Sequence, residues 1–240
     1  TVAYDVDEFS LSYNGNGLIY SDAEENIFMY DCVKKEKTRI SNNNSGWVSN
    51  LCISPDGQSA AYTEYSDGEY VMYSYAENEK NKVAKNMLPL AVSDKSASYF
   101  ACDSSDCLYY IDSLGEKEKI ASSFTSMGYV LNKNNTEIIF YDGEWYDEGR
   151  YYYFSNDEKV MLYDKITSSF DDYSYNLPYF ICPNNTIDKK YVTSYGFCGT
   201  YSIIPSESLK SGAVYLYEND ASTGSCNLIT IDSECEKKKI

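Results

Sequence analysis

At 240 residues the chain is long enough for one large β domain or two small ones, and its 43% hydrophobic and 16% aromatic content, with 27 tyrosines, separates it from disordered chains. A formal net charge of −17 repels nucleic-acid phosphates and anionic membrane surfaces, so nucleic acid is excluded as a partner and the acidity reads as a solubilising surface. The absence of histidine removes the usual general base near neutral pH, the commonest zinc ligand and every Ser/His/Asp or Cys/His arrangement, which counts against most hydrolase mechanisms.

From the start of the chain, Thr1-Val2-Ala3-Tyr4 lacks the basic and apolar segments of a signal peptide, and no apolar run reaches the roughly 18 residues of a membrane span. The sequence is expected to be the mature or trimmed part of an exported protein, with any targeting or anchoring segment outside these residues. Residues 1–8 are expected to form an extra or closing strand. A repeat then begins. Phe9 to Tyr20, Leu51 to Tyr62, Leu90 to Phe100 and Tyr129 to Phe140 each read as an apolar strand, a small polar turn and a second apolar strand ending near an aromatic.

The turn anchors are Asn14, Ser54, Ser93 and Asn132, spaced by about 40 residues as in a propeller blade, with a fifth at Pro183-Asn184-Asn185 after a longer insertion. The second half of the unit recurs in Ile27 to Asp31, Val71 to Tyr75, Leu108 to Asp112, Val160 to Asp164 and Leu228 to Asp232, all of strand length and composition. Lysine-bearing outer segments such as Lys34-Lys35-Glu36-Lys37 suit exposed sheet edges. No amphipathic helical period of useful length occurs.

These features predict a single all-β domain over 1–240: a β-propeller of about five four-stranded blades (9–46, 47–86, 87–125, 126–177 and 178–240). A sixth blade, or membership of a longer propeller, stays open. The Ser54-Pro55-Asp56-Gly57 turn between two apolar strands, followed by Tyr62 and a Tyr-rich third strand, resembles the TolB-type and WD-repeat-like blades of bacterial extracytoplasmic proteins. That resemblance implies a secreted or cell-surface scaffold or binding module, of the sort sometimes joined to a peptidase or kinase domain with no counterpart here.

Blade topology assigns loops to faces. The segment leading into a blade's first strand and the loop between its second and third strands share one face, and this is where the insertions 142–158 and 198–225 and both tryptophans fall. The expected binding face therefore carries Trp47, Glu64, Asp67, Trp145, Tyr146, Asp147 and Glu148, aromatics beside carboxylates suited to a glycan, a peptide or a protein partner.

The competing reading is a carbohydrate-active enzyme, which needs two carboxylates about 5–9.5 Å apart. The expected innermost strands (9–13, 50–54, 88–93, 128–132 and 179–183) hold no Asp or Glu, so a non-catalytic module is favoured. Acidic pairs such as Asp5/Asp7 and Asp171/Asp172 miss calcium-loop spacing, and neither metal nor cofactor is expected. The sequons at Asn43, Asn134 and Asn184 read more simply as Asn-rich turns. Eight cysteines without Cys-x-x-Cys spacing fit disulfides in an oxidising compartment, with free thiols the alternative at strand positions such as Cys52 and Cys182. Cys102 and Cys107, bracketing Asp103-Ser-Ser-Asp106, are the best disulfide candidate.

Overall fold

The structure is a computed structural model that describes residues 2–41, 48–66, 68–143, 148–155, 158–167, 214–220, 225–231 and 237–239. Contacts divide the chain into two compact units, residues 1–123 with 134–136 and residues 124–133 with 137–240.

The first unit holds three four-stranded antiparallel meanders. The first blade is β1 (Val6–Leu11), β2 (Gly17–Asp22), β3 (Ile27–Asp31) and β4 (Glu36–Ser41). The second is β5 (Val48–Ile53), β6 (Ala60–Ser66), β7 (Glu69–Ala76) and β8 (Glu79–Lys85). The third is β9 (Met87–Val92), a 3-10 turn at Asp94–Ser96, β10 (Ser98–Asp103), β11 (Leu108–Asp112) and β12 (Lys117–Ala121). In the second unit, β13 (Phe124–Leu131), β14 (Glu137–Asp142), β15 (Glu148–Ser155) and β16 (Glu158–Thr167) form a fourth such sheet. There β17 (Val214–Asp220), β18 (Ser225–Ile231) and β19 (Lys237–Lys239) form a three-stranded one. Successive meanders of this kind are the blades of a β-propeller.

Alternation along the strands explains how the first three blades stack. Ile19, Ile27 and Ile40 of the first blade pack against Val48, Leu51, Ile53, Ala60 and Tyr62 of the second. Ala61, Met72 and Ala84 on the opposite face of the second blade pack against Val92, Tyr99, Ala101 and Ile111 of the third. A blade's second strand is thus buried on both faces, whereas β4, β8 and β12 begin with exposed, lysine-rich residues. The outer lysines are used: Lys37 Nζ lies 3.7 Å from the Phe28 ring centre, and Lys80 and Lys159 lie 4.0 Å from those of Tyr73 and Tyr152. Each such contact contributes about 0.5–1 kcal/mol at an exposed site.

The turns between a blade's first two strands are built alike. Ser12 Oγ accepts from Gly17 N (2.8 Å), Ser54 Oγ from Ser59 N (2.9 Å), Ser93 Oγ from Ser98 N (2.8 Å) and Asn132 Oδ1 from Glu137 N (3.0 Å). All four anchors are buried. Ser12, and not the expected Asn14, is therefore the anchor of the first blade. Asn14 does a different job: its N donates to Pro55 O (3.2 Å) and its Nδ2 to Asp56 O (3.0 Å), while Asp56 N donates to Asp94 Oδ1 (2.9 Å). Neighbouring turns are thereby hydrogen-bonded to one another from blade to blade.

Two sequence expectations change here. Among the described residues 2–8 there is no separate strand: a bulge between Val6 and Phe9 lets the ladder with β2 continue back to the Val6–Asp22 pair, so Val6, Asp7 and Glu8 begin β1. Consequently a first strand does carry acids, namely Asp7 and Glu8.

Candidate functional site

The face expected to bind, where a blade's first strand begins and its second hairpin turns, carries a cavity of about 340 Å³ in the first unit. The described residues that line it are Ser49, Asn50, Tyr70, Asn86, Leu88 and Ser104, drawn from the starts of β5, β7 and β9 and from the β10–β11 turn.

Backbone irregularity places these residues. The β5–β6 register runs Val48–Glu64 and Ser49–Thr63, then slips before Cys52–Ala61, and Asn50 within this bulge has φ of +57°. Asn86, between β8 and β9, has φ of +54°, and its N donates to Tyr70 O at 2.7 Å. Asparagine tolerates this left-handed region better than most residues. Tyr70 pairs with Tyr65 across the hairpin, ring centres 5.0 Å apart, and each residue is 37% exposed. Beside them Glu69 and Lys85 form an exposed ion pair at 2.5 Å, and the lysine holds the Glu69 carboxyl below its ordinary range.

The lining is hydroxyls, amides, one aromatic ring and one leucine. Ser49 Oγ is buried yet has no hydrogen-bond partner among the described residues. A lining of this kind can hold a polar uncharged group, and among the described residues it supplies no acid, base or activated nucleophile.

Of the residues expected at the site, Glu64 sits elsewhere. It shares a face of β6 with Tyr62, so it enters the seam with the first blade, accepting from Lys80 Nζ (2.8 and 2.9 Å) and from Ser41 Oγ. Glu148 opens β15, its Cα opposite Thr167. Trp47, Asp67, Trp145, Tyr146 and Asp147 lie outside the described residues.

Cys102 and Cys107, expected to be bridged, are free thiols, as are Cys32 and Cys52. The hairpin register is the reason. Cys102 pairs with Leu108, and Cys107 Sγ instead approaches Ser105 O and Ser122 O, each at 3.7 Å. Asp103 closes that turn, accepting from Ser105 N, Cys107 N and Tyr109 Oη. Asp22 and Asp31 cap turns of the first blade in the same way. Glu8 Oε1 accepts from Leu51 N at 2.9 Å, so this acid is committed to joining two blades. Among the described residues no three acidic or thiol side chains converge as a metal site, and no helix is long and apolar enough to cross a membrane.

The fold has solved counterparts. TolB from Acinetobacter baumannii superimposes with a TM-score of 0.52 at 11% identity, over 95% of this chain and 52% of its own. The fold is similar to that of TolB-type propellers. A prolyl endopeptidase structure matches with a TM-score of 0.56 at 10% identity, over 98% of this chain and 36% of its own. An oligogalacturonate lyase in complex with manganese matches at 0.57 and 10% identity, over 99% and 65%. The chain thus spans about half the length of the TolB propeller it resembles. No family profile and no curated sequence matches it.

Proposed function

We propose that this chain is a non-catalytic binding propeller acting outside the cytoplasm, with its ligand held on the face where first strands begin and second hairpins turn. The supporting observation is the cavity there, whose described lining residues are polar or apolar but carry no charged side chain. The likeness to TolB propellers supports both the scaffold and the location. A carbohydrate-active enzyme is the second reading, favoured by the lyase-like fold and by Glu8 on a first strand. Against it stands the bond from Leu51 N, which ties Glu8 to the neighbouring blade.

A glycan and peptide array probed with the purified chain tests the binding reading. A ligand is expected whose affinity falls at least tenfold in Asn86→Asp, because a carboxylate that can only accept then replaces an amide that offers two donors at the cavity wall. Full retention in that variant refutes the site, and product formation from any bound glycan refutes the non-catalytic assignment.

A further inference from the structure

We infer that the cavity between the second and third blades recognises the end of a neutral glycan, an assignment that rests on the binding role proposed above. At about 340 Å³ it falls at the lower end of small-molecule sites, roughly 300–1,000 Å³, and matches a terminal mono- or disaccharide.

Four observations point to that chemistry. First, Ser49 lines the cavity and its buried hydroxyl has no partner among the described residues, so a χ1 rotation that turns it toward a ligand donor or acceptor breaks no existing hydrogen bond. Second, Asn50 and Asn86 are both held in left-handed backbone conformations that bring them to one cavity, and neither side-chain amide is hydrogen-bonded to another described residue. Each amide offers two donors and an acceptor, which suits adjacent sugar hydroxyls that both give and take hydrogen bonds.

Third, Tyr70 lines the cavity and is partly exposed, with the Tyr65 ring packed against it. The C–H face of a pyranose packs on such a ring while the phenol stays wet. Fourth, charge selects against the alternatives. Among the described residues the lining has no cation, the neighbouring Glu69 and Lys85 neutralise each other, and the chain carries −17 overall, so uronate sugars and acidic peptides are repelled. A basic peptide would need a carboxylate in the wall, and none of the described residues that line it is an acid.

The test uses isothermal titration of the whole chain with defined probes: neutral disaccharides of glucose, galactose and N-acetylhexosamine, with digalacturonate and a basic hexapeptide as controls. The expected result is binding of at least one neutral disaccharide and of neither control. Tyr70→Ala should weaken it tenfold or more. Ser49→Ala should weaken it several-fold while leaving the thermal midpoint unchanged or raised, because the hydroxyl removed has no partner in the free protein. That combination separates a ligand-binding group from a structural one.

Binding of the peptide control with the same dependence on Tyr70 and Ser49 overturns the glycan assignment and leaves the binding reading standing. Sugar binding indifferent to both substitutions overturns the site. Absence of binding by every probe, with both variants folded, overturns the glycan assignment, and a blank peptide array would then remove the binding reading as well.

Discussion

Tyr62 and Tyr20 occupy the same position in the second and first blades, and their hydroxyls provide an internal control on what joins one blade to the next. Tyr62 is fully buried and its Oη donates to Ile40 O of the preceding blade at 3.1 Å. Burial pushes its phenol far above the ordinary range, with the Glu64 carboxylate adding to the shift. In Tyr62→Phe the ring still fills its site, but a bond of net worth about 0.5–1.5 kcal/mol is lost and a buried carbonyl is left short of a partner, which can cost about 1–3 kcal/mol. A loss near ~2 kcal/mol follows.

Tyr20 is just as buried, yet its Oη has no partner among the described residues. Tyr20→Phe removes only a hydroxyl already stripped of water, so stability should be unchanged or higher by up to about 1 kcal/mol. Urea unfolding of both variants beside the parent is the assay, read as midpoint shifts at constant m. For a chain of this size ~2 kcal/mol corresponds to roughly 4–8 °C in Tm. Equal losses in the two variants would refute the reasoning, because they would mean that packing of the ring edge, and not the bond between blades, sets the cost.

Gly17→Ala should destabilise by more than about 2 kcal/mol, since a Cβ there would lie 2.5 Å from Gly57 O and neither backbone can retreat without breaking the turn-to-turn contact; thermal unfolding checks it. Asp94 has its pKa raised, chiefly by burial and further by Asp56, so its contribution is complete below the unfolded value and is lost as pH rises through the folded one. Asp94→Asn, which keeps an acceptor for Asp56 N, should accordingly gain less than about 1 kcal/mol at pH 7 and nothing near pH 3, and a loss at pH 7 contradicts this.

Asp22, Asp31 and Asp103 behave oppositely. For Asp31 the leading cause is the bond from Lys34 N, while for Asp22 and Asp103 burial opposes the shift but turn hydrogen bonds outweigh it. Their stabilisation is present above the usual carboxylate value of about 3.9 and is lost as pH falls below it, which acid titration followed by circular dichroism would show. The Cys52 thiol, packed 3.5 Å from Pro89 O, is pushed up to about 12 by burial, and that of Cys102 to about 11. Both should resist maleimide at pH 7 until the protein unfolds, as mass spectrometry would report.

Strand composition and the repeat of roughly forty residues made the blades legible, because the second strand of each unit is apolar on both faces only if another sheet covers each side. The site was less legible, since it depends on where the backbone departs from regular pairing. Asn50 inside Val48-Ser-Asn-Leu-Cys-Ile53 was the available signal: an asparagine interrupting an apolar strand marks a bulge, although the direction of the bulge cannot be read from the letters. Glu64 was misplaced for the converse reason, because simple alternation from Tyr62 already puts it on the seam. Asn14 drew attention away from Ser12, whose buried hydroxyl is the true counterpart of Ser54 and Ser93. The thiols of Cys102 and Cys107 looked bridgeable because they bracket a four-residue turn, but a hairpin joins partners in register, and Leu108 holds that place.

A crystal structure of the chain with the tightest ligand from the array measures the main claim directly. Ligand density in contact with Ser49, Tyr70 and Asn86 is the predicted result. Density confined to another surface, with this cavity holding only solvent, would contradict it.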